Sequence, residues 1–425
     1  MNERQDIPNR AWTDLEAVVG REYVWPASAD DAIDGLQPTR IVAPGTAQEI
    51  AQILQYCSSA GLAVIPRGGG TKLGFGNRPQ QADLILSTER LDRVIEHAWG
   101  DMTVIVEAGC TIENVQRAVG EHGQRLAADP LWPDKCTVGG LLATAESGTL
   151  RIRYGAMRDL VLGVEVALPD GSLIKAGGKV VKNVAGYDLT KLMIGSLGTL
   201  GVITRAVFRL HPLPVATASY SASLSSAGEA LKLLLAILDS NLVYTGLQLR
   251  ADGPSHISVD VRTEGIPESL QGQYAKLAQI AGGCTFAESV GDPWKARQEL
   301  FAGGGASLTC KCSVLPSQIG SFCDAVFRHA KSAEVAAALV AQATGVAEVR
   351  LDAAQPPSLV EVVRRLRTYV DSLDGTLVVQ RCPASVKEAL DVWGSLKDGF
   401  GLMEQIKIKF DPARTLNPGR FVGAI

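Results

Sequence analysis

Histidine is scarce in this 425-residue chain: five in all, at 97, 122, 211, 256 and 329, with no two close in sequence. That leaves no local histidine motif to hold a metal, and no metal is expected. Cationic excess is absent as well. The chain has 41 Lys and Arg against 45 Asp and Glu, a formal charge of −4, which gives nucleic acid no reason to bind. Long apolar runs are missing. The densest lies around Leu231–Leu238, far short of a membrane span, and Met1–Asp6 is polar, so neither a transmembrane segment nor a signal peptide is expected. The eight cysteines are scattered, and Cys310-Lys311-Cys312 with Cys323 matches neither a common metal site nor iron–sulfur spacing. They read as ordinary thiols of a reduced, cytoplasmic chain.

What the chain has in abundance is glycine, 44 residues without a period, and enough apolar content (46%) for two cores. Residues 1–36 read as a lead-in of a helix or two. From 37 to 214 helical and strand patterns alternate. Thr46 caps a helix Ala47–Ala60, with Glu49 completing a capping box and Gly61 ending it. Strands follow at Ala63–Pro66, Asp83–Ser87 and Thr103–Glu107, then a helix Ile112–Gly120 behind Thr111. Pro212-Leu213-Pro214 marks a boundary. Residues 215–425 read as a second α+β domain with an antiparallel sheet. Its helices are expected at Ala227–Leu238, Ser332–Ala343 and Ser385–Leu396, and its strands at Leu247–Arg250, Ile257–Arg262 and Thr376–Gln380.

Three glycine-bearing segments carry the chemistry. Pro66–Gly76 follows a strand and holds five glycines in nine residues, with Thr71 and Lys72 among them. Such a loop turns its amides onto a bulky anion such as a pyrophosphate, or is simply a wide turn. It is neither a P-loop nor a Rossmann turn, because no Gly-Lys-Ser/Thr closes it and Asn77-Arg78-Pro79 stops any helix there. In the second segment Thr137 can cap a helix that starts Val138-Gly139-Gly140. A ligand could then lie on exposed N–H groups, or the helix could merely pack close to a sheet. The third runs from Arg151 through Lys179-Val180-Val181-Lys182-Asn183-Val184-Ala185-Gly186-Tyr187-Asp188-Leu189 to Gly195, Gly198 and Gly201-Val202-Ile203-Thr204.

Taken in order, these segments resemble the FAD-binding domain of the vanillyl-alcohol-oxidase / p-cresol-methylhydroxylase flavoprotein superfamily. The resemblance implies a two-subdomain PCMH-type FAD-binding domain over 37–214 and an FAD-linked oxidase C-terminal cap domain over 215–425. It also implies FAD contacts at Pro66, Arg67, Gly68, Gly69, Gly70, Thr71, Lys72, Leu73, Gly74, Asp129, Pro130, Thr137, Gly139, Gly140, Arg153, Tyr154, Gly201, Val202, Ile203 and Thr204. Asn417 joins them from Ile406–Phe421, which is similar to the closing motif of FAD-linked oxidases of 2-hydroxy acids. Some relatives attach flavin through a histidine in the first loop. Here that place reads Gly69-Gly70-Thr71, so non-covalent FAD is implied. Gly178–Leu189, Trp294-Lys295-Ala296-Arg297 and Ser313-Val314-Leu315-Pro316 are most similar to the E-type FAD-binding subunit of glycolate oxidase.

That resemblance implies oxidation of glycolate to glyoxylate in a complex with a D-type flavoprotein subunit and an iron–sulfur subunit, with any membrane contact made through the partners. The His-x-Gly-Asp-Gly-Asn-x-His stretch of catalytic relatives has no counterpart here. Two other readings stay open: a stand-alone oxidase or dehydrogenase of another small 2-hydroxy acid, and a flavin-holding relay subunit without chemistry of its own. Oxidising a hydroxy acid needs a base for the hydroxyl proton and a cation for the carboxylate. His256 is the histidine to watch, and Arg297, Lys311 and Arg381 are the candidate cations, though each reads as readily as an ordinary surface or salt-bridged residue.

Overall fold

A computed structural model of the chain describes residues 9–179, 187–303 and 306–425. The first domain holds two sheets. Val24–Pro26, Arg40–Val42, Leu84–Ser87 and Val64–Arg67 lie side by side in that order, the first pair antiparallel and the others parallel. The stretch read as a lead-in therefore supplies an edge strand, along with a helix Asn9–Val19. The helix Ala47–Ala60 covers this sheet with Ile50, Ile53, Leu54 and Cys57, because its apolar residues recur at three and four positions. Thr46 Oγ1 accepts the Glu49 amide at 3.1 Å, and Glu49 accepts the amide of Gly45 rather than of the cap itself. Gly61 ends the helix in the left-handed region, φ 68°.

The second sheet is fully antiparallel, in the order Val94–Ala98, Thr103–Glu107, Val202–Arg209, Val161–Ala167, Leu173–Gly177. The first glycine segment follows Val64–Arg67 of the first sheet, and Gly201 directly precedes Val202–Arg209 of the second.

The second domain is built on an eight-stranded antiparallel sheet, in the order Ala287–Glu288, Ala216–Leu224, His256–Gly265, Gly246–Gly253, Ala336–Gln342, Val346–Asp352, Ser307–Ser313, Thr376–Arg381. One face is apolar. Leu249, Val259, Cys310, Leu339 and Val349 pack there against the helices Ala227–Leu238, Ile319–Ser332 and Pro356–Asp371. The alternate positions are polar and read as a wetted face, yet Gln248, Asp260, Thr309 and Glu348 are buried. Asp260 accepts from Arg250, Gln248 and Ser221, so the buried carboxylate is well compensated. This polar face meets the first domain through Arg125–Glu264 (2.5 Å), and the short helix Ala296–Glu299 meets it through Arg297–Glu146 (2.6 Å).

Two expected helices are corrected. Ser332–Ala343 is not a helix: Ala336–Gln342 is an interior strand, paired on both sides. Ser385–Leu396 is helical only over Ala384–Ala389, since Val392 turns away to bond Val379 and Asn77. The end of the chain also departs from expectation. From the helix Phe400–Phe410 onward it returns to the first domain, where Ile406 and Phe410 join the core and Leu416 lies alongside Val64. Among the described residues no helix is long and apolar enough to cross a membrane. Six of the eight cysteines are buried, and burial pushes the Cys57, Cys310 and Cys323 thiols up to about 12, which makes them inert core residues.

Candidate functional site

The strand Val64–Arg67 delivers the chain into the glycine loop, and a second loop, Trp132–Thr137, lies directly against it. A Cβ on Gly68 would stand 2.0 Å from Thr137 Oγ1, and one on Gly69 1.7 Å from the Lys135 carbonyl oxygen. Glycine is required at both by that close approach. The amides of Gly68, Gly69, Gly70, Thr71 and Lys72 find no acceptor among the described residues. A row of unspent donors on a partly buried loop is a cradle for an anion with several oxygens.

The opposite walls come from three places. Thr137 caps the helix Val138–Ala143 by accepting the Gly140 amide at 3.3 Å, while the Gly139 amide donates to Ala108 O at 2.7 Å. The expectation that a ligand rests on these two N–H groups is corrected: both are spent, and the glycines supply bare surface instead. Ser196–Gly198 and Gly201–Ile203 form another wall. Asn417 and Arg420 close the cavity from the chain's end. Asn417 Nδ2 donates to Leu197 O at 2.6 Å, and its oxygen accepts from Arg420 at 3.0 Å. Arg420 Nε is buried with no acceptor among the described residues, and burial pulls this guanidinium down to about 10. An orphaned cationic donor beside a row of free amides fits a pyrophosphate-bearing cofactor.

Of the residues expected at the cofactor, Pro66, Arg67, Gly68, Gly69, Gly70, Thr71, Lys72, Leu73, Thr137, Gly139, Gly140, Gly201, Val202, Ile203 and Asn417 line this one cavity. Others do not. The Asp129 carboxylate is taken by the Thr149 and Leu150 amides, with Pro130 buried beside it. Tyr154 OH accepts from Arg125 and donates to Glu264, at the domain boundary, and Arg153 sits next to it in the same short helix. Thr204 is fully buried and its hydroxyl donates to Glu165. Gly74 lines an adjoining cavity. Within the third segment, Val180–Gly186 lies outside the described residues.

Sequence reasoning missed Thr88, Glu146 and Arg420. Glu146 is the important omission, and its signal was a lone acid inside an otherwise apolar and small-residue stretch, Leu141–Gly148. Its carboxylate accepts the Leu131 amide (2.8 Å) and Arg297 (2.6 Å), and is in contact with Lys72. Burial pulls the Lys72 ammonium down to about 7, with Arg297 and Lys311 acting in the same sense and Cys136 and Glu348 working against them.

The four catalytic candidates separate. Arg297 is buried and committed to Glu146 and the Ser147 carbonyl (2.8 Å). Lys311 is paired across strands with Glu348 and lines neither cavity. His256 is exposed at a hairpin end near Asp252, in a cleft that shares no residue with the cradle. Arg381 alone is well placed. It lines the adjoining cavity of about 330 Å³ with Thr71, Lys72, Gly74, Phe75, Trp132, Phe301 and Gln380. Its Nη1 donates to Phe301 O at 2.6 Å, and Gln380 Oε1 is buried there without a donor among the described residues. Thr71 and Lys72 are common to both cavities.

The sequence profile of the FAD binding domain family matches residues 38–177. Glycolate oxidase subunit GlcD of Bacillus subtilis is 33% identical over 235 residues, 55% of this chain and 50% of that protein. D-lactate dehydrogenase of Archaeoglobus fulgidus is 28% identical over 420 residues, 90% of this chain and 91% of that one. D-2-hydroxyglutarate dehydrogenase of Xanthomonas citri is 37% identical over 177 residues. The chain thus spans about half the length, or less, of most of these relatives. Among solved structures, p-cresol methylhydroxylase superposes with a TM-score of 0.78 at 16% identity, covering 97% of this chain and 96% of that one. Alkyldihydroxyacetonephosphate synthase gives 0.73 at 17% identity, with 97% and 85% covered. These two show the fold alone. Residues 38–177 match the FAD binding domain family, and the chain shares the fold of p-cresol methylhydroxylase.

Proposed function

We propose that the chain is an FAD-dependent oxidoreductase acting on the CH–OH group of a small 2-hydroxy acid, in the setting of a glycolate oxidase-type complex. The observation that carries this reading is the junction of two cavities at Thr71 and Lys72: a cradle with unspent amides on one side, a small chamber with Arg381 and Lys72 on the other. The relatives named for glycolate, D-lactate and D-2-hydroxyglutarate share a carboxylate next to a carbinol, and a chamber with a guanidinium at Arg381 suits that carboxylate. Bound FAD supplies the acceptor for the hydride equivalent leaving the carbinol carbon. The residues of the chain orient the acid: Arg381 engages its carboxylate, while Trp132 and Phe301 shed water from the carbinol. Glycolate as the substrate, a D-type flavoprotein and an iron–sulfur subunit as partners, and peripheral membrane contact through those partners complete the proposal.

The purified chain should be yellow, and acid precipitation should release the flavin into the supernatant. A colourless protein that FAD cannot reconstitute would falsify the reading. Anaerobic addition of glycolate, D-lactate or D-2-hydroxyglutarate should bleach the flavin. In Arg381→Met the KM for the acid should rise by about tenfold or more at unchanged flavin content, the cost of losing a charged hydrogen-bond donor. An unchanged KM would remove Arg381 from the site.

One observation favours a second reading. Among the described residues no imidazole lines either cavity, which suits a relay subunit that takes electrons from a partner. Flavin that bleaches only when a D-type partner is present would support it.

A further inference from the structure

The glycine loop is held from behind by a residue far away in sequence. Lys387 belongs to the short helix Ala384–Ala389, which follows the last strand of the eight-stranded sheet. Its side chain is 2% exposed, and its ammonium donates to Gly74 O (2.6 Å), Gly76 O (2.8 Å) and Asp34 Oδ2 (2.7 Å). All three ammonium hydrogens are therefore spent, two of them on the loop's backbone. Arg420 takes the two remaining carbonyls of the same stretch, Leu73 O and Phe75 O. Four successive carbonyl oxygens, from Leu73 to Gly76, thus accept from side chains of the C-terminal half.

The consequence is directional. In a trans peptide the carbonyl and the following amide point opposite ways. Pulling the carbonyls of Leu73–Gly76 outward sets the orientation of the whole turn, whose N-terminal half carries the free amides of Gly68–Lys72. A glycine-rich loop loses more conformational freedom on ordering than any other kind, so binding an anion to an unanchored loop would carry that entropy cost. Arg420 lines the cradle itself, but Lys387 does not.

We propose that Lys387 is a positioning residue for the cofactor: it presets the pyrophosphate-holding loop, and through it the second domain's docking is coupled to FAD affinity. The proposal rests on reading the loop as the pyrophosphate cradle. By linkage, FAD strengthens the docking of the second domain by the same factor that docking strengthens FAD.

The test uses full-length apoprotein titrated with FAD, read by quenching of flavin fluorescence, and with ADP as a competitor that carries the pyrophosphate but no isoalloxazine. Lys387→Met keeps the length and removes the charge and its three bonds. It should weaken FAD and ADP by the same factor, about tenfold or more given the net worth of charged hydrogen bonds. Asp34→Asn leaves both carbonyl bonds in place and should weaken FAD by less. Asp34 sits at φ 49°, a conformation asparagine tolerates, so this variant carries the test if Lys387→Met fails to fold. A lysine that merely tethers two domains would lower the melting temperature of the apoprotein and leave both affinities unchanged, and that result overturns the proposal. If ADP does not compete with FAD on the unsubstituted protein, the pyrophosphate assignment itself falls.

Discussion

Gly140→Leu is expected to yield a folded protein whose flavin affinity is sharply reduced. Gly140 lies in the first turn of the helix Val138–Ala143 with ordinary helical geometry, and a Cβ there would meet only Thr137 Oγ1, at 3.2 Å. No positive φ stands in the way, and Thr137 Oγ1 has to give by a few tenths of an ångström for a side chain that would project into the cradle. Overfilling a packed space costs about 1–3 kcal/mol even where neighbours yield, a loss of affinity of about fivefold to 150-fold. The cradle has little room to yield, being walled by backbone, so the upper end is expected. Flavin absorbance per protein measures it, with the circular dichroism of the apoprotein as control. Full flavin content in Gly140→Leu would mean that the cofactor does not lie on this wall. Gly69 is a poorer test despite its place in the loop. Any side chain at 69 collides with the Lys135 carbonyl and would rearrange two loops at once.

The largest loss of stability is expected from Asp411→Ala. Asp411 is fully buried and accepts the amides of Thr415 (3.0 Å) and Leu416 (2.8 Å) as well as the Lys407 ammonium (2.6 Å). Lys407, 1% exposed, also donates to Thr199 O and Leu416 O. Burial pulls its ammonium down, and Asp411 is the charge that opposes this. Removing the carboxylate strands a buried cation and two amides, a loss of about 3–5 kcal/mol. The midpoint of chemical denaturation should fall accordingly, and Asp411→Ala with Lys407→Met should be milder than Asp411→Ala alone. A single variant as stable as the parent would sink this account. Flavin binding should suffer too. Thr415 and Asn417 bond the backbone of Val64, and Asn417 also holds Leu197 in the cradle wall.

Much of the first domain was legible because its signals are local. Thr46 and Thr111 cap the helices they precede, Gly61 ends one, and Thr103–Glu107 is the β-branched run that a strand favours. The second domain was legible where apolar residues alternate, as in Ile257–Arg262. It was not where composition and pairing disagree. Ala336–Gln342 is rich in alanine, the best helix former, yet it sits between two strands whose hydrogen bonds outweigh that preference. Asp129 and Tyr154 show the same limit in the site. They lie in segments that resemble the family, but their polar atoms are spent on Thr149, Leu150, Arg125 and Glu264.

By itself the sequence determined a strand, a glycine-rich turn and a capped helix in an order that resembles an FAD-binding domain, since strand, turn and cap chemistry is local. Only the tertiary structure decided how the cradle is held and what adjoins it. Lys387 reaches Gly76 across 311 residues, Arg297 reaches Glu146 across 151, and Arg381 comes beside Lys72 from the last strand of another domain. The physical reason is that burial and charge pairing depend on which surfaces meet. A polar residue on an alternating strand reads as solvent-facing until a second domain covers it.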